Sequence, residues 1–451
     1  TINDVNDIVF DSITLTGNLK VTAAGSITAT GTVKVDGRTE LIAGGSSSDI
    51  VFNNVNNDFI GSVSVSNVRD VSLKDKNSMV LGQQAISGNL SATAVSGVVS
   101  DSAAINVTGT TEIVAGTNIS LNAAGHDFVG AVSMTGADST LRDGNSLTLG
   151  SVDLSGAMTL YAQGTVTGTS VIEVDLASLV NAGGNDINLG NTQNDFVGLL
   201  TLEQAKNITI VDKNALAFSG NAAGIGSDLI LTAGGALELS HGVSSVDDIT
   251  LVANGISFGQ STVGGDLVVN ATGGGGAITQ RQQTLDGIQH DSILRISGAS
   301  NITADAITLD HVNAFNGNVL VSSTGNVNLN AEGAIAFAGA TVGGNLIVSS
   351  AKSITQTGAL SVTGTTSLNA TAYDADITLS HVNNDFQEIV TILDSRDLTI
   401  SDENNLSITG SVSRDWTLAV SGALSVGALE VGDDLTVAAG SITDSGSYIV
   451  D

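Results

Sequence analysis

A right-handed parallel β-helix, all-β with three short strands per coil and coils of about 20–24 residues, is the fold this sequence predicts. Three observations predict it: the chain holds no proline, its apolar residues are small aliphatics, and one block recurs along it. At an average usage of about 5%, a chain this long would hold roughly 20 prolines. Their absence means that the backbone N–H is wanted as a donor almost everywhere, as in unbroken strand ladders. Hydrophobic residues make up 41% and aromatics only 3%, so Val, Ile, Leu and Ala fill a narrow core of stacked strands. Charged residues are 13%, and Ser, Thr, Asn and Gly supply the polar surface. So many β-branched residues argue against disorder.

The charge balance narrows the function classes. With 14 Lys and Arg against 45 Asp and Glu the net charge is −31, which disfavours nucleic acid or an anionic membrane bound through a basic face. The absence of Cys removes disulfides and thiolate sites, so stability rests on the ladder. Thr1 to Leu15 are polar and strand-patterned, with no basic region followed by an apolar run, so this stretch is not a signal peptide. The longest apolar runs are a few residues, too short to insert in a membrane.

Four segments align: Val35 to Phe59, Val107 to Phe128, Val174 to Phe196 and Val362 to Phe386. Each ends in an Asp-Phe pair: Asp58-Phe59, Asp127-Phe128, Asp195-Phe196 and Asp385-Phe386. Each is followed by an Asp-x-Asn: Asp75/Asn77, Asp143/Asn145, Asp212/Asn214 and Asp402/Asn404. Super-repeats are clear at 35–106, 107–173, 174–240 and 362–451. The section 241–361 is irregular, with a shortened relative at Phe315, and the whole of 1–451 is expected to form one continuous rod. Apolar pairs flank each Asp-x-Asn at alternating positions, as in Val63/Val65, Val71/Leu73 and Met79/Leu81. Two inward residues every eight describe a very short strand and a turn. Three such units make a coil, and three coils are expected to make the repeat of about 69 residues. Stacked at about 4.8 Å, the coils would form a rod on the order of 100 Å long. Corners such as Gly17-Asn18, Gly88-Asn89, Gly265-Asp266, Gly344-Asn345 and Asp433-Asp434 open the next strand, with residue types that tolerate positive φ.

The pattern VTGTT…AG…DI.L…NDF.G.V…V.L.D.N.L.LG…SG.L resembles the central repeats of filamentous-haemagglutinin-like exoproteins of two-partner secretion, large bacterial surface and biofilm-matrix adhesins. The resemblance covers nearly the whole chain. It implies an extracellular or cell-surface location, exopolysaccharide, surface glycans or further copies of itself as partners, and an outer-membrane secretion partner. That partner acts on an N-terminal domain with Asn-Pro motifs, which a chain without proline does not contain, so an interior piece of a longer protein is implied.

Candidate chemistry is weighed against plainer readings. The Asp-Phe pair could stack and bond a sugar, but Phe59, Phe128, Phe196 and Phe386 are better read as core plugs at a corner, with Asp bonding backbone amides. Asp-x-Asn is reminiscent of calcium loops, yet the EF-hand and nonapeptide patterns are absent. No cofactor is expected beyond weak calcium binding by the acidic surface. Parallel β-helices also house polysaccharide lyases, but the nearest cluster, His241-Gly242 with Asp247-Asp248, lacks the basic partners such a site needs. His311 and His381 occupy matching contexts, and Asn54 stands there in the first copy, which marks turn residues and not metal ligands. The Gly273 to Gly276 run lacks the Lys-Ser/Thr of a phosphate loop. The Asn-x-Ser/Thr sites at Asn89, Asn106, Asn118, Asn207, Asn270, Asn301, Asn369 and Asn405 are those an Asn- and Thr-rich chain throws up by chance.

Two places break the repeat. Gln280 to Arg295, after the four-glycine run, is read either as a degenerate coil or as a binding loop, with Arg281 and Arg295 as ligand contacts. Arg414-Asp415-Trp416 holds the lone Trp, either exposed to stack a sugar or packed at a wide corner. The expected function is a structural and adhesive shaft mediating cell–cell or cell–matrix attachment without catalysis. The alternative is a β-helix protein that binds or degrades polysaccharide. A surface-templating role would need Thr in register at one corner of each coil, which the sequence lacks.

Overall fold

The computed structural model describes all residues except Asp286, Gly287, Ser445, Ser447 and Asp451, and gives no side-chain account at 221–224, 283–288, 444 and 448–450. Among the described residues there is no helix, and short parallel strands stack as a β-solenoid. The chain divides into two compact units, Thr1–Ala217 with Ala223–Gly226, and Phe218–Ala222 with Ser227–Asp451.

In the first unit a ladder runs through Val71–Asp75, Leu90–Ala94, Thr111–Ala115 and Val132–Gly136, pairing Val71 with Leu90, Leu90 with Thr111 and Thr111 with Val132. Burial alternates strictly along the first of these strands: Val71 and Leu73 point inward and Ser72 outward. Each buried Val, Leu or Ile contributes about 1.5–3 kcal/mol, and among the few large rings of this unit Phe52, Phe59, Phe128 and Phe196 are fully buried. Equivalent turns lie 18 to 24 residues apart.

These coil lengths correct one expectation. The super-repeat is not three coils but three coils and one face. The residue that matches Val63 one repeat later is Val132, yet Val132 stacks on the ladder of Val71, the strand after Val63. Leu200, its match in the third copy, stacks on the next ladder, reached from Met79 through Val99, Ile119, Ser139, Met158 and Ser178. Each copy is therefore turned by a third of a coil relative to the one before. The second unit obeys the same rule: Val327 pairs with Leu346, Leu346 with Thr366, and Thr366 with Val390. Val390 takes the place in its copy that Val319 takes in the copy before.

Corners are held by Asx side chains, each accepting an amide from the coil above. Asp49 Oδ1 accepts from Asp70 N, Asp70 Oδ1 from Asn89 N, and Asn89 Oδ1 from Thr110 N. In the second unit Asp376, Asp397, Asp415 and Asp434 form the same series. Arg396 lies 2.6 Å from Asp376, and Arg414 reaches Asp397 and Asp415, which offsets the stacked like charge. The Gly-Asn corners do not use positive φ, contrary to expectation: Gly88 is not among the left-handed residues. Glycine is needed there for close stacking, because a Cβ on Gly109 would lie 2.5 Å from the Gly88 carbonyl oxygen.

The break at Gln280 to Arg295 is an inserted hairpin. Ala277–Gln280 and Leu294–Ile296 both belong to the ladders. Between them Gln282–Leu285 and Ile288–Asp291 pair antiparallel as a separate two-stranded sheet. Asp286 and Gly287, which fall within this stretch, lie outside the described residues. In the next copy a short turn, Thr357 to Ala359, stands where the hairpin is inserted. The hairpin's root is locked from above: Gln280 Nε2 donates to Ser292 O and to Asn313 Oδ1, and Asn313 Nδ2 donates back to Gln280 Oε1.

Candidate functional site

The recurring motif residues converge on one construction, repeated in four copies. At its centre is the Asp of Asp-x-Asn, which is buried. Asp75 Oδ2 accepts Phe59 N at 2.6 Å and its Oδ1 accepts Asn77 N at 2.7 Å. Asp143 serves Phe128 N and Asn145 N, Asp212 serves Phe196 N and Asn214 N, and Asp402 serves Phe386 N and Asn404 N. Each carboxylate thus satisfies two backbone donors where a coil corner leaves the ladder. Unmet inside the protein, each donor would cost about 1–3 kcal/mol.

The Asp of the Asp-Phe pair does not bond the backbone amides assigned to it from the sequence. Asp58 accepts from Asn77 Nδ2 and lies 2.9 Å from Lys76 Nζ, while Asp195 lies 3.1 Å from Lys213 Nζ and accepts from Asn214 Nδ2. Asp385 accepts from Asn404 Nδ2. Asp127 sits at the same half-buried rim. Phe59, Phe128, Phe196 and Phe386 are buried, so they offer no stacking platform.

A fifth group was missed in the sequence. The residue before Asp-Phe is buried and bridges coils: Asn57 Oδ1 accepts Val33 N while its Nδ2 donates to Phe52 O. Asn194 joins Ile172 N to Leu189 O and Asn384 joins Leu360 N to Leu379 O. Asn313 does the same for Leu294 N and Leu309 O. In the second copy His126 takes this place, its Nδ1 accepting Ile105 N at 2.9 Å. Its Nε2 lies 3.4 Å from Asp101 and 3.2 Å from Ala123 N, and burial pushes the imidazole pKa down in spite of Asp101. The signal was in the sequence, where Asn recurs before Asp-Phe in three of the four copies.

Burial pushes the pKa of Asp75, Asp143, Asp212 and Asp402 up, and the amide hydrogen bonds oppose it only partly. With a folded value above the unfolded one, the native state binds more protons. The stabilising contribution of these groups is complete below the ordinary value of 3.8 and is lost as pH rises through the raised folded values. Relief of self-repulsion at a net charge of −31 has the same sign. Lowering the pH from about 7 towards about 4 is therefore expected to hold or raise the melting temperature, followed by circular dichroism. A steady fall across that interval would contradict the assignment.

The remaining candidate residues do not come together. Arg281 pairs with Glu238, and Arg295 lies 3.7 Å from Glu332 on an exposed ladder position. Trp416 is fully buried, between Leu398 and Leu435 in its ladder. It is a core residue and not a sugar-stacking surface, because a 0% exposed indole presents no face to a ligand. Asp228, Asp247 and Asp248 place carboxylate oxygens within 4.8 Å of one another, and His241 is not part of that group. Asp228 and Asp248 already accept the amides of Asp248 and Asp266, which marks the trio as a corner stack. His381 Nδ1 accepts the turn amide of Asn383, and His311 Nδ1 lies 3.0 Å from Ser292 O at the hairpin root.

Among known proteins, a family model described as repeats of unknown function (DUF5649) matches residues 1–66, 68–135, 136–203, 246–322, 324–393 and 413–451. Copies at 246–322 and 324–393 fall largely in the section that looked irregular in sequence. No curated protein and no solved structure matches the chain.

Proposed function

We propose, from the premise that the chain belongs to the DUF5649 repeat family, that it is a structural and adhesive shaft displayed on a bacterial cell surface. It holds binding surfaces away from the cell and joins cells to one another or to a polysaccharide matrix. One observation supports this above the others: what recurs from copy to copy is spent on the fold, down to the exposed Asn77 and its counterparts, whose backbone amides bond the buried Asp. Asn57, Phe59 and Asp75 and their counterparts spend their chemistry on backbone amides and core, whereas other outward positions change, as Arg38 becomes Thr110, Ala177 and Thr365. A repeat kept for its fold is a repeat kept for building. The resemblance to two-partner-secretion adhesins supports the surface location and a glycan or self partner, and the reading requires no cofactor and no turnover.

The test is a bead assay with the full chain. Beads coated with it are expected to retain acidic or neutral exopolysaccharide and to clump in its presence, equally with and without a chelator. No new reducing ends or unsaturated sugars should appear in solution. Beads that retain nothing would sink the adhesive reading, and release of cleaved glycan would favour the polysaccharide-degrading alternative.

A further inference from the structure

We infer that a trough on the first unit, around Arg38, is a binding site for carboxylated saccharide, which gives the proposed adhesive function a defined ligand class and rests on that reading. The trough has a volume of about 450 Å³ and crosses four successive coils, from Arg38 and Glu40 over Ser62, Ser64 and Ser66 to Gln83 and Ser102. It exists because the ladder bulges there: Val63 pairs with Leu81 but Val65 with Gln84, so one extra residue is accommodated. Gly82 floors the bulge, and a Cβ on it would meet Ser64 Oγ at 2.2 Å. Gln84, itself buried, pins the bulge by donating to Val63 O and Gly82 O, and its Oε1 is left without a partner. The second copy has the same bulge, between Val132/Leu149 and Met134/Val152, but there Thr110 stands for Arg38, Ser151 for Gln83 and Val152 for Gln84.

The lining selects the ligand. Among the described residues no carboxylate pairs with the Arg38 guanidinium, although the chain has 45 acids to 14 bases. Glu40 is neutralised by Lys20 at 2.7 Å, so the trough carries a net positive charge. No aromatic lines it and its surface is mostly polar, which disfavours an apolar segment. The hydroxyls of Ser62, Ser64 and Ser66 make no hydrogen bond to the protein among the described residues. A planar guanidinium matches a carboxylate in two-point fashion. The three hydroxyls stand at alternate residues of one strand, about 6.6 Å apart, and offer donors and acceptors to the hydroxyls of a sugar chain laid along that strand. An acidic peptide would satisfy Arg38 but not the serine row.

The test is calorimetric titration of the full chain with a uronic-acid tetrasaccharide, the neutral hexose tetrasaccharide of the same linkage, and tetraglutamate. The uronate is expected to bind, with the other two about tenfold weaker or more. Arg38→Gln should weaken uronate binding about tenfold or more and remove its salt dependence, Ser64→Ala should weaken it severalfold, and Thr110→Ala should leave it unchanged. Because Arg38 is exposed, the melting temperature of the Arg38→Gln variant serves as the check that the fold is intact. Equal affinity in Arg38→Gln, equal binding of the neutral sugar or tetraglutamate, or no uronate binding at millimolar concentration would each overturn the site. The bead assay keeps the two readings apart: beads of the parent chain that hold no glycan count against the shaft, whereas retention that survives Arg38→Gln counts only against the trough.

Discussion

Replacing Asp212 by Ala should cost about 3–5 kcal/mol, because it strips two buried backbone donors of their acceptor at once. Phe196 N and Asn214 N both lie 2.7 Å from this carboxylate, while the neighbouring acceptors Asn194 O and Asp195 Oδ2 are taken by Lys213 N and Asn214 Nδ2. Asp212→Asn keeps the shape and one acceptor but points an NH₂ at the second amide, so about 1–3 kcal/mol is expected. A side-chain amide does not titrate, so this variant should also lose its share of the stabilisation on acidification. In a stack where each coil touches only its neighbours, the damage should be local. Hydrogen exchange at the amides of Phe196 and Asn214 should speed up before the global transition moves. If Asp212→Ala melts within about 1 kcal/mol of the parent, the two amides have found another partner and the role assigned to this residue is wrong.

A single proline inside a ladder should be comparably harmful. Thr159 lies in Met158–Ala162 with partners on both sides, Thr140 below and Leu179 above. Thr159→Pro removes a ladder donor and drives a ring against the neighbouring strand, for about 3 kcal/mol or more. Thr159→Ala, at a half-buried outward position, should change stability by no more than about 0.5 kcal/mol. Urea titration of the two variants separates backbone from side chain. Equal midpoints would mean that the lack of proline in the sequence has no structural basis at this position.

Much of the fold could be read from residue types, because a strand two residues wide leaves a signature in which Val71, Leu73 and their partners alternate with Ser72. The third-of-a-turn offset could not. It depends on how many residues each corner consumes, and corners of different length look alike in composition. The same holds for the site residues. Asp75 and its counterparts stood out by recurrence, but the bonds to backbone amides were assigned to the Asp of the Asp-Phe pair. In the structure the Phe amide turns away from its own Asp towards a carboxylate at the corner stacked above, one coil on. Trp416 stood out by rarity, and rarity does not tell core from surface. The Arg38 trough had no sequence signal, since it arises from a bulge shared by copies and from side chains that are not.

The offset between copies has a genetic consequence. A repeat gene readily gains or loses whole units by recombination. In most stacked architectures such an event changes only reach. Here, within the first unit, each added copy would also swing every later decoration by a third of a revolution, so that three insertions, and not one, restore the original bearing. Copy number would then set the direction in which a given outward face looks as well as how far along the stack it lies. Variants of this chain that differ by one unit would be rotational isomers of one another, displaying the same groups to different neighbours.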